Sequence, residues 1–258
     1  MTVFEPTTHD VLAFCAASPV ERVFLEDVAR RGLGRFVAAR SDGEVSALCH
    51  IGANIVPSGA GCAAFARSLE RADARMLIGE AGAVTDLWES ARSQLPRARE
   101  DRPGQPVFAI RVPPAPGESG LRAATLDDVS RLVPACAAAH ELELGIDPLA
   151  RNPEEFRWRT AAQIEEGRSW VWLEDDVVRF KAEASAWTPG AVQLQQVWVD
   201  PAARGRGYAA RALADLIRLL LAVTPVVTLF VRANNAPAIA LYEAVGMQRE
   251  LEYRSVLF

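Results

Sequence analysis

Val197-Trp198-Val199-Asp200-Pro201-Ala202-Ala203-Arg204-Gly205-Arg206-Gly207-Tyr208-Ala209 begins as a strand, stops at a proline, and turns through two arginines and two glycines into the amphipathic run Ala210 to Ala222. A helix entered from a glycine-rich turn is an anion site. Its first N–H groups have no intrahelical acceptor, and the helix dipole adds partial positive charge. Gly205 and Gly207 carry no Cβ to hold a phosphate off the backbone, and Arg204 and Arg206 add donors suited to phosphate oxygens. A phosphate-bearing ligand is expected here. The stretch is neither the dinucleotide G-x-G-x-x-G nor a P-loop, since no Gly-Lys-Ser/Thr follows. A ribose-reading acid about twenty residues after the glycines is also missing, because an apolar helix fills that interval.

A second segment follows: Asn235-x-x-Ala238-x-x-x-Tyr242-x-x-x-Gly246-Met247. Asn235 and Tyr242 are about two helical turns apart and share one face. Together, Arg204-x-x-Gly207-x-Ala209 and this second segment resemble the two acetyl-CoA segments of the GNAT superfamily of N-acetyltransferases. Met247 stands where that family usually has Phe. The interval between the segments holds one helix and one strand, Val226 to Val231, as in the family.

The resemblance implies an α/β (α+β) fold of tandem GNAT-like domains, each a mixed, mostly antiparallel sheet flanked by helices. It implies acetyl-CoA as co-substrate, no metal, and direct attack of a primary amine on the thioester. The backbone of Val197-Trp198-Val199 would pair with the pantetheine arm, with an N–H near Val197 polarising the acetyl carbonyl. The N–H groups from Gly205 through Arg206, Gly207 and Tyr208 to Ala209 would hold the pyrophosphate. Asn235 would bind the pantetheine or cap the next helix. Tyr242 would protonate the leaving thiolate, which a phenol of similar basicity can do.

The general base is not named by the pattern. Where some relatives carry a strand Glu, this chain reads Gln193-Leu194-Gln195-Gln196. Glu183 on the neighbouring strand is the candidate, acting directly or through water, and Glu141 and Glu143 are candidate contacts to a cationic amine. Tyr208 reads as a packing residue, and Trp170 and Trp172 share one strand face as core or as an aromatic wall for an acceptor. His50 reads as packing, with a cleft-lining role as the alternative. No Cys stands near either motif in sequence, which disfavours a covalent acetyl-enzyme. The competing functional reading is a non-catalytic acyl-CoA-binding module that regulates or docks a partner.

The 258 residues suffice for two domains, and a formal charge of −5 argues against nucleic-acid binding. Met1-Thr2-Val3-Phe4-Glu5 lacks a signal-peptide pattern, and no apolar run is long enough to span a membrane, so a cytoplasmic location is expected. Cys15, Cys49, Cys62 and Cys136 read as buried reduced thiols, and His9, His50 and His140 have no metal-ligand spacing. The acceptor is a small-molecule, peptide or protein amine, and the protein is a monomer or a homodimer.

The segment Val112-Pro113-Pro114-Ala115-Pro116-Gly117-Glu118-Ser119-Gly120 can continue neither a helix nor a central strand. It divides the chain into an N-terminal domain (1–112), a linker (113–120) and a C-terminal domain (121–258). The second half reads as a strand at Leu121–Ala124, a capping-box helix from Thr125, and a helix from Asn152-Pro153. Strands Ser169–Leu173, Val177–Ala184 and Val192–Val199 come next. The motif helix, strand Val226–Val231, helix Ala236–Val245 and strand Gln248–Phe258 complete it. The first half repeats this order: helices Thr8–Ala16 and Pro19–Arg31, strands Arg35–Ala39 and Glu44–Ile51, the segment Asn54–Gly61, a helix to about Ala72, strand Arg75–Ile78 and helix Ala81–Gln94. Its Pro57-Ser58-Gly59-Ala60-Gly61 echoes Pro201 to Gly207 without the arginines. The first half is therefore expected to be a degenerate copy of the fold.

Overall fold

The computed structural model describes residues 1–70 and 72–258. The first half contains β1 (Thr2–Phe4), α1 (Thr8–Ala16), α2 (Pro19–Arg30), β2 (Arg35–Ser41), β3 (Glu44–Ile51), β4 (Asn54–Gly59), a 3-10 helix (Cys62–Leu69), β5 (Met76–Glu80), α3 (Ala81–Ala91) and β6 (Glu100–Ile110). The second contains β7 (Arg122–Ala123), a 3-10 turn (Leu126–Asp128), α4 (Val129–Leu144), α5 (Pro148–Arg151), α6 (Pro153–Glu165), β8 (Ser169–Glu174), β9 (Val177–Trp187) and β10 (Val192–Val199). After a 3-10 turn (Pro201–Ala203) come α7 (Tyr208–Leu221), β11 (Val227–Phe230), α8 (Ala236–Ala244) and β12 (Gln248–Leu257).

Helix starts follow the local chemistry. Thr125 and Asp128 form the expected capping box. Asn152 accepts from the Glu155 N–H at 3.1 Å ahead of Pro153. The helix expected to reach about Ala72 is instead the 3-10 helix Cys62–Leu69, and position 71 lies outside the described residues. Its buried Cys62 and Phe65 are three apart, so a three-residue turn stacks them on one face. Asn54–Gly59, a stretch given no element from the sequence, is a strand antiparallel to β3.

All twelve strands form one sheet in the order β1-β2-β3-β4-β5-β12-β6-β11-β10-β9-β8-β7. Read inward from either edge, pairing senses repeat: antiparallel, antiparallel, antiparallel, then parallel for β4–β5 and for β10–β11. The final strands are exchanged between the halves. β12 lies against β5, and β6 lies against β11. At the centre, β6 and β12 pair with each other. The sequence pattern assigns no element to β6, whose Pro103, Gly104 and Pro106 are unusual in a central strand. Register shifts between Arg249 and Leu251 and between Tyr253 and Ser255 accommodate it.

The proline-rich segment is bound along α7. The N–H groups of Gly117 and Ser119 donate to Asp215 at 2.7 and 2.8 Å, and Arg218 donates to the Pro114 carbonyl at 2.8 Å. On the α7 side, Trp170, Trp172, Phe180 and Leu194 join Leu213, Leu216 and Ile217 in one apolar core. On the other side, Val171 and Val178 pack with Leu132, Cys136, Phe156 and Ile164 of α4 and α6. The site lies where these two layers meet the end of β10.

Candidate active site

β10 pairs with β11 only at Val192–Val227 and Gln193–Thr228, so beyond Gln193 the two parallel strands diverge. From there to Val199 the inner edge of β10 has no strand partner among the described residues. The strand is also irregular on its other side. Gln195 pairs with Glu183 and Trp198 with Lys181, which leaves Gln196 and Val197 opposite the single residue Ala182. Val197 and Val199 pack toward the α7 core, and Trp198 packs toward α4 and α6.

The turn after β10 is built by Asp200. Its carboxylate accepts from the Ala202 N–H at 3.0 Å and from Arg179 at 2.6 Å. Those bonds, the Ala202 one first, hold its carboxyl below the ordinary range. Gly205 and Gly207 have φ of 73° and 84°, a region that favours glycine. A Cβ on either would meet nothing within 4 Å, so the space in front of both is open. Gly207 is the N-cap of α7 and offers no side-chain acceptor to the first-turn N–H groups. Arg204 and Arg206 are exposed beside them. This cradle has the donors, the room and the charge for a pyrophosphate.

Tyr208, the first residue of α7, is buried. Its hydroxyl donates to Glu174 at 2.6 Å, and its ring tilts against Trp172 with centroids 4.7 Å apart. Its side chain therefore packs, and only its backbone belongs to the loop. Trp170 and Trp172 are likewise buried in the α7 core and form no acceptor wall. Asn235 caps α8, accepting from the Ala238 N–H at 3.3 Å.

Tyr242 is the one buried residue of α8. Its ring meets Phe108 edge to face, at 5.6 Å between centroids. Among the described residues its hydroxyl has no hydrogen-bond partner, and it is not among the sealed polar atoms without one. Burial, and then the charge of Glu143, push its phenol above the ordinary range, so it stays protonated at neutral pH.

Glu183 points into the α4–α6 layer, where its Oε1 is ion-paired with Lys181. Lys181 is completely buried. Its ammonium also donates to Gln196 Oε1 at 2.9 Å and to Cys136 Sγ at 3.4 Å. Burial opposes that charge, but Glu183 and Cys136 outweigh it and hold the lysine protonated. Burial pushes the Cys136 thiol up to about 12, so it is a protonated donor to Glu183 at 3.4 Å. The free face of Glu183 opens on a cavity of about 130 Å³ lined by Cys136, His140, Phe156, Arg159, Thr160, Gln163, Gln195 and Gln196. Two of these residues correct the sequence reading. Lys181, a strand lysine, gave no signal there, and Cys136, distant from both motifs in sequence, is brought to the site by the fold.

Glu143, near the end of α4, is exposed, yet desolvation by the surrounding protein acts on its carboxyl. That desolvation raises its carboxyl above the ordinary range, with Arg102, Arg232 and Lys181 opposing. Its charge also acts on Tyr242. Glu141 is exposed.

The equivalent place in the first half is closed. β4 and β5 also share only two pairs, and Gly61 caps the following helix at φ 85°. There, however, Met1 packs against Gly61 and the Ala60 N–H is taken by the Ser46 carbonyl at 3.0 Å. His50 is buried between Phe24 and Phe36, and its Nδ1 bonds the Asn54 carbonyl at 3.1 Å, so it packs and lines no cleft. Among the described residues no cluster of His, Cys, Asp and Glu could hold a metal ion, and no helix is long and apolar enough to cross a membrane.

Residues 137–247 match the model described as the Acetyltransferase (GNAT) family, and residues 34–132 match a domain of unknown function, DUF4081. The chain is similar to a mycothiol acetyltransferase of Brachybacterium faecium, 30% identical over 197 residues. That alignment covers 69% of this chain and 56% of the relative, little more than half its length. Among solved structures, a GCN5-related N-acetyltransferase from Sphaerobacter thermophilus superposes with a TM-score of 0.64 at 18% identity, covering 98% of this chain and 94% of that one. A tandem GNAT protein from the clavulanic acid biosynthesis pathway superposes at 0.57 with 14% identity, covering 99% and 98%. These two show a shared fold along nearly the entire chain.

Proposed function

Residues 137–247 belong to the GNAT acetyltransferase family, and on that premise we propose that the protein is an acetyl-CoA-dependent N-acetyltransferase whose chemistry lies in its second half. The observation that carries this reading is the unpaired edge of β10, with an uncapped helix N-terminus at one end and the unpartnered hydroxyl of Tyr242 within the same core. Bound acetyl-CoA supplies the activated acetyl group. The N–H groups from Gly205 to Ala209 hold the pyrophosphate, flanked by Arg204 and Arg206. The free edge of Val197-Trp198-Val199 pairs with the pantetheine, and an N–H there stabilises the oxyanion as the amine attacks. Tyr242 gives its proton to the departing sulfur.

The acceptor amine enters through the cavity beside Glu183. Its mostly polar lining, with Glu183 and Arg159 as its charged groups, and its small volume suit a small polar amine better than a protein lysine tail. The name of the Brachybacterium faecium relative supports a small-molecule acceptor. Glu183, ion-paired with Lys181, faces the incoming ammonium. Glu143, whose carboxyl is raised by desolvation, draws the proton off through water. Cys136 is held as a thiol, which supports direct attack over an acetyl-cysteine. The first half, with its loop closed, serves as scaffold and lends β6 to the active half. The test is thiol release from acetyl-CoA against a panel of small polar amines, amino acids and peptides. Turnover confined to small polar amines supports the assignment. Turnover only with peptides refutes the acceptor class, and none with any amine refutes the enzyme.

A further inference from the structure

Gln196 has φ of 48°, a left-handed conformation that a non-glycine residue adopts only when its surroundings hold it there. It is the first residue of the two-for-one bulge opposite Ala182, the position that such bulges with a left-handed residue usually give to glycine. A charged donor holds it. Lys181 Nζ, itself sealed from solvent, donates to Gln196 Oε1 at 2.9 Å. Lys181 pairs with Trp198 just after the bulge, so the same residue anchors the strand on both sides of the irregularity. In the first half, β3 and β4 keep continuous register from Ala47–Gly59 to Ile51–Ile55, with no bulge. The bulge is thus confined to the half whose phosphate loop is open.

We propose that Lys181 is a positioning residue, a buried latch that holds Gln196 in its left-handed conformation and so fixes the bulge that presents the Val197–Val199 backbone to acetyl-CoA. The proposal rests on reading β10 as the acetyl-CoA strand. The latch also forms part of the wall of the cavity beside Glu183, since Gln196 and Glu183 both bond the same ammonium. One charge thereby sets both the acyl-donor strand and the acceptor-facing carboxylate.

The test compares two replacements at one position. Gln196→Leu keeps the bulk, removes the acceptor and adopts positive φ no more readily. Gln196→Gly removes the side chain but adopts positive φ freely, so it needs no latch. Calorimetric titration with acetyl-CoA is expected to show Gln196→Leu weakened by about tenfold or more, and Gln196→Gly within about threefold of the unsubstituted protein. A packing role predicts the reverse order, because glycine deletes more contact. Lys181→Met is expected to match Gln196→Leu alone and to cost less than about threefold more in the Gln196→Gly background. Since Lys181→Met also unpairs Glu183, the Gln196 pair decides. Glycine as weak as leucine, or weaker, overturns the latch. If the unsubstituted protein fails to bind acetyl-CoA, the cofactor reading falls, and amide exchange at Val197–Val199 still tests the latch without ligand. Faster exchange in Gln196→Leu than in Gln196→Gly supports it, and equal or reversed rates overturn it.

Discussion

Asp27 on α2 accepts both terminal nitrogens of Arg168, at 3.1 and 2.7 Å, across 141 positions of sequence. The same carboxylate takes the Trp187 N–H at 3.2 Å. Asp27 is 2% exposed, so this is a sealed ionic tie between the first helix pair and the sheet of the second half. Removing Asp27 leaves the largely buried Arg168 with Glu166 alone as ion partner among the described residues, and takes the acceptor from the Trp187 N–H. Asp27→Ala should cost about 3 kcal/mol of stability, read as a fall of roughly 6–12 °C in melting temperature. A fall under about 2 °C would show that the tie contributes nothing net.

The exchanged strands forbid independent halves. β12 fills the slot between β5 and β6, and β6 fills the slot between β11 and β12. A fragment ending at residue 112 would expose the edges of β5 and β6, and one starting at 113 would expose β11 and β12. Neither fragment should be folded alone by circular dichroism and amide exchange, whereas co-expression should restore a soluble complex. A cooperative melt from either fragment alone contradicts the exchange.

Tyr242→Phe removes the proposed acid and keeps the ring on Phe108. Turnover should fall about tenfold or more, with acetyl-CoA affinity changed by less than about threefold. Because the phenol is raised, its proton is present throughout the neutral range and is lost only above the ordinary value of about 10. No alkaline limb below that pH should therefore belong to Tyr242. A loss of turnover smaller than about threefold counts against its role.

Glu143 carries the opposite sign of evidence. A carboxyl raised by desolvation is neutral at low pH and becomes a base only above its raised value. The acid limb of kcat/KM should lie above the ordinary Glu value of about 4.3, and Glu143→Gln should abolish that limb while lowering activity. Glu183→Gln should instead raise KM for the amine, because it removes the charge that the ammonium meets. An acid limb unchanged in Glu143→Gln would assign the base elsewhere.

What the sequence disclosed was local. The strand, turn and helix from Val197 to Ala222 and the Asn235–Tyr242 helix are contiguous, with spacing that carries their geometry. Capping residues such as Thr125 and Asn152 mark helix starts by the same logic. What it withheld was long-range. β6 is studded with Pro103 and Pro106, and only its place between two other strands makes it a strand. Lys181 resembles any strand lysine until Cys136, Glu183 and Gln196 close around it. Glu143 acquires its raised carboxyl from desolvation, which outweighs Arg102, Arg232 and Lys181, surroundings that no local pattern encodes. The proline-rich segment was legible as a break in secondary structure, but its attachment to Asp215 was not.

The central claim is that the opening at the start of α7 takes acetyl-CoA. Calorimetric titration of the intact protein with acetyl-CoA, beside desulfo-CoA and a Gly207→Glu variant, tests it most directly. Gly207 sits at φ 84° in open space, so a glutamate there is strained and places its carboxylate where the pyrophosphate would lie. One-to-one binding in the micromolar range, lost by at least about a hundredfold in Gly207→Glu, is the predicted result. Two equivalent sites would contradict the closed loop at Gly61, and no binding, or binding indifferent to Gly207→Glu, would contradict the account itself.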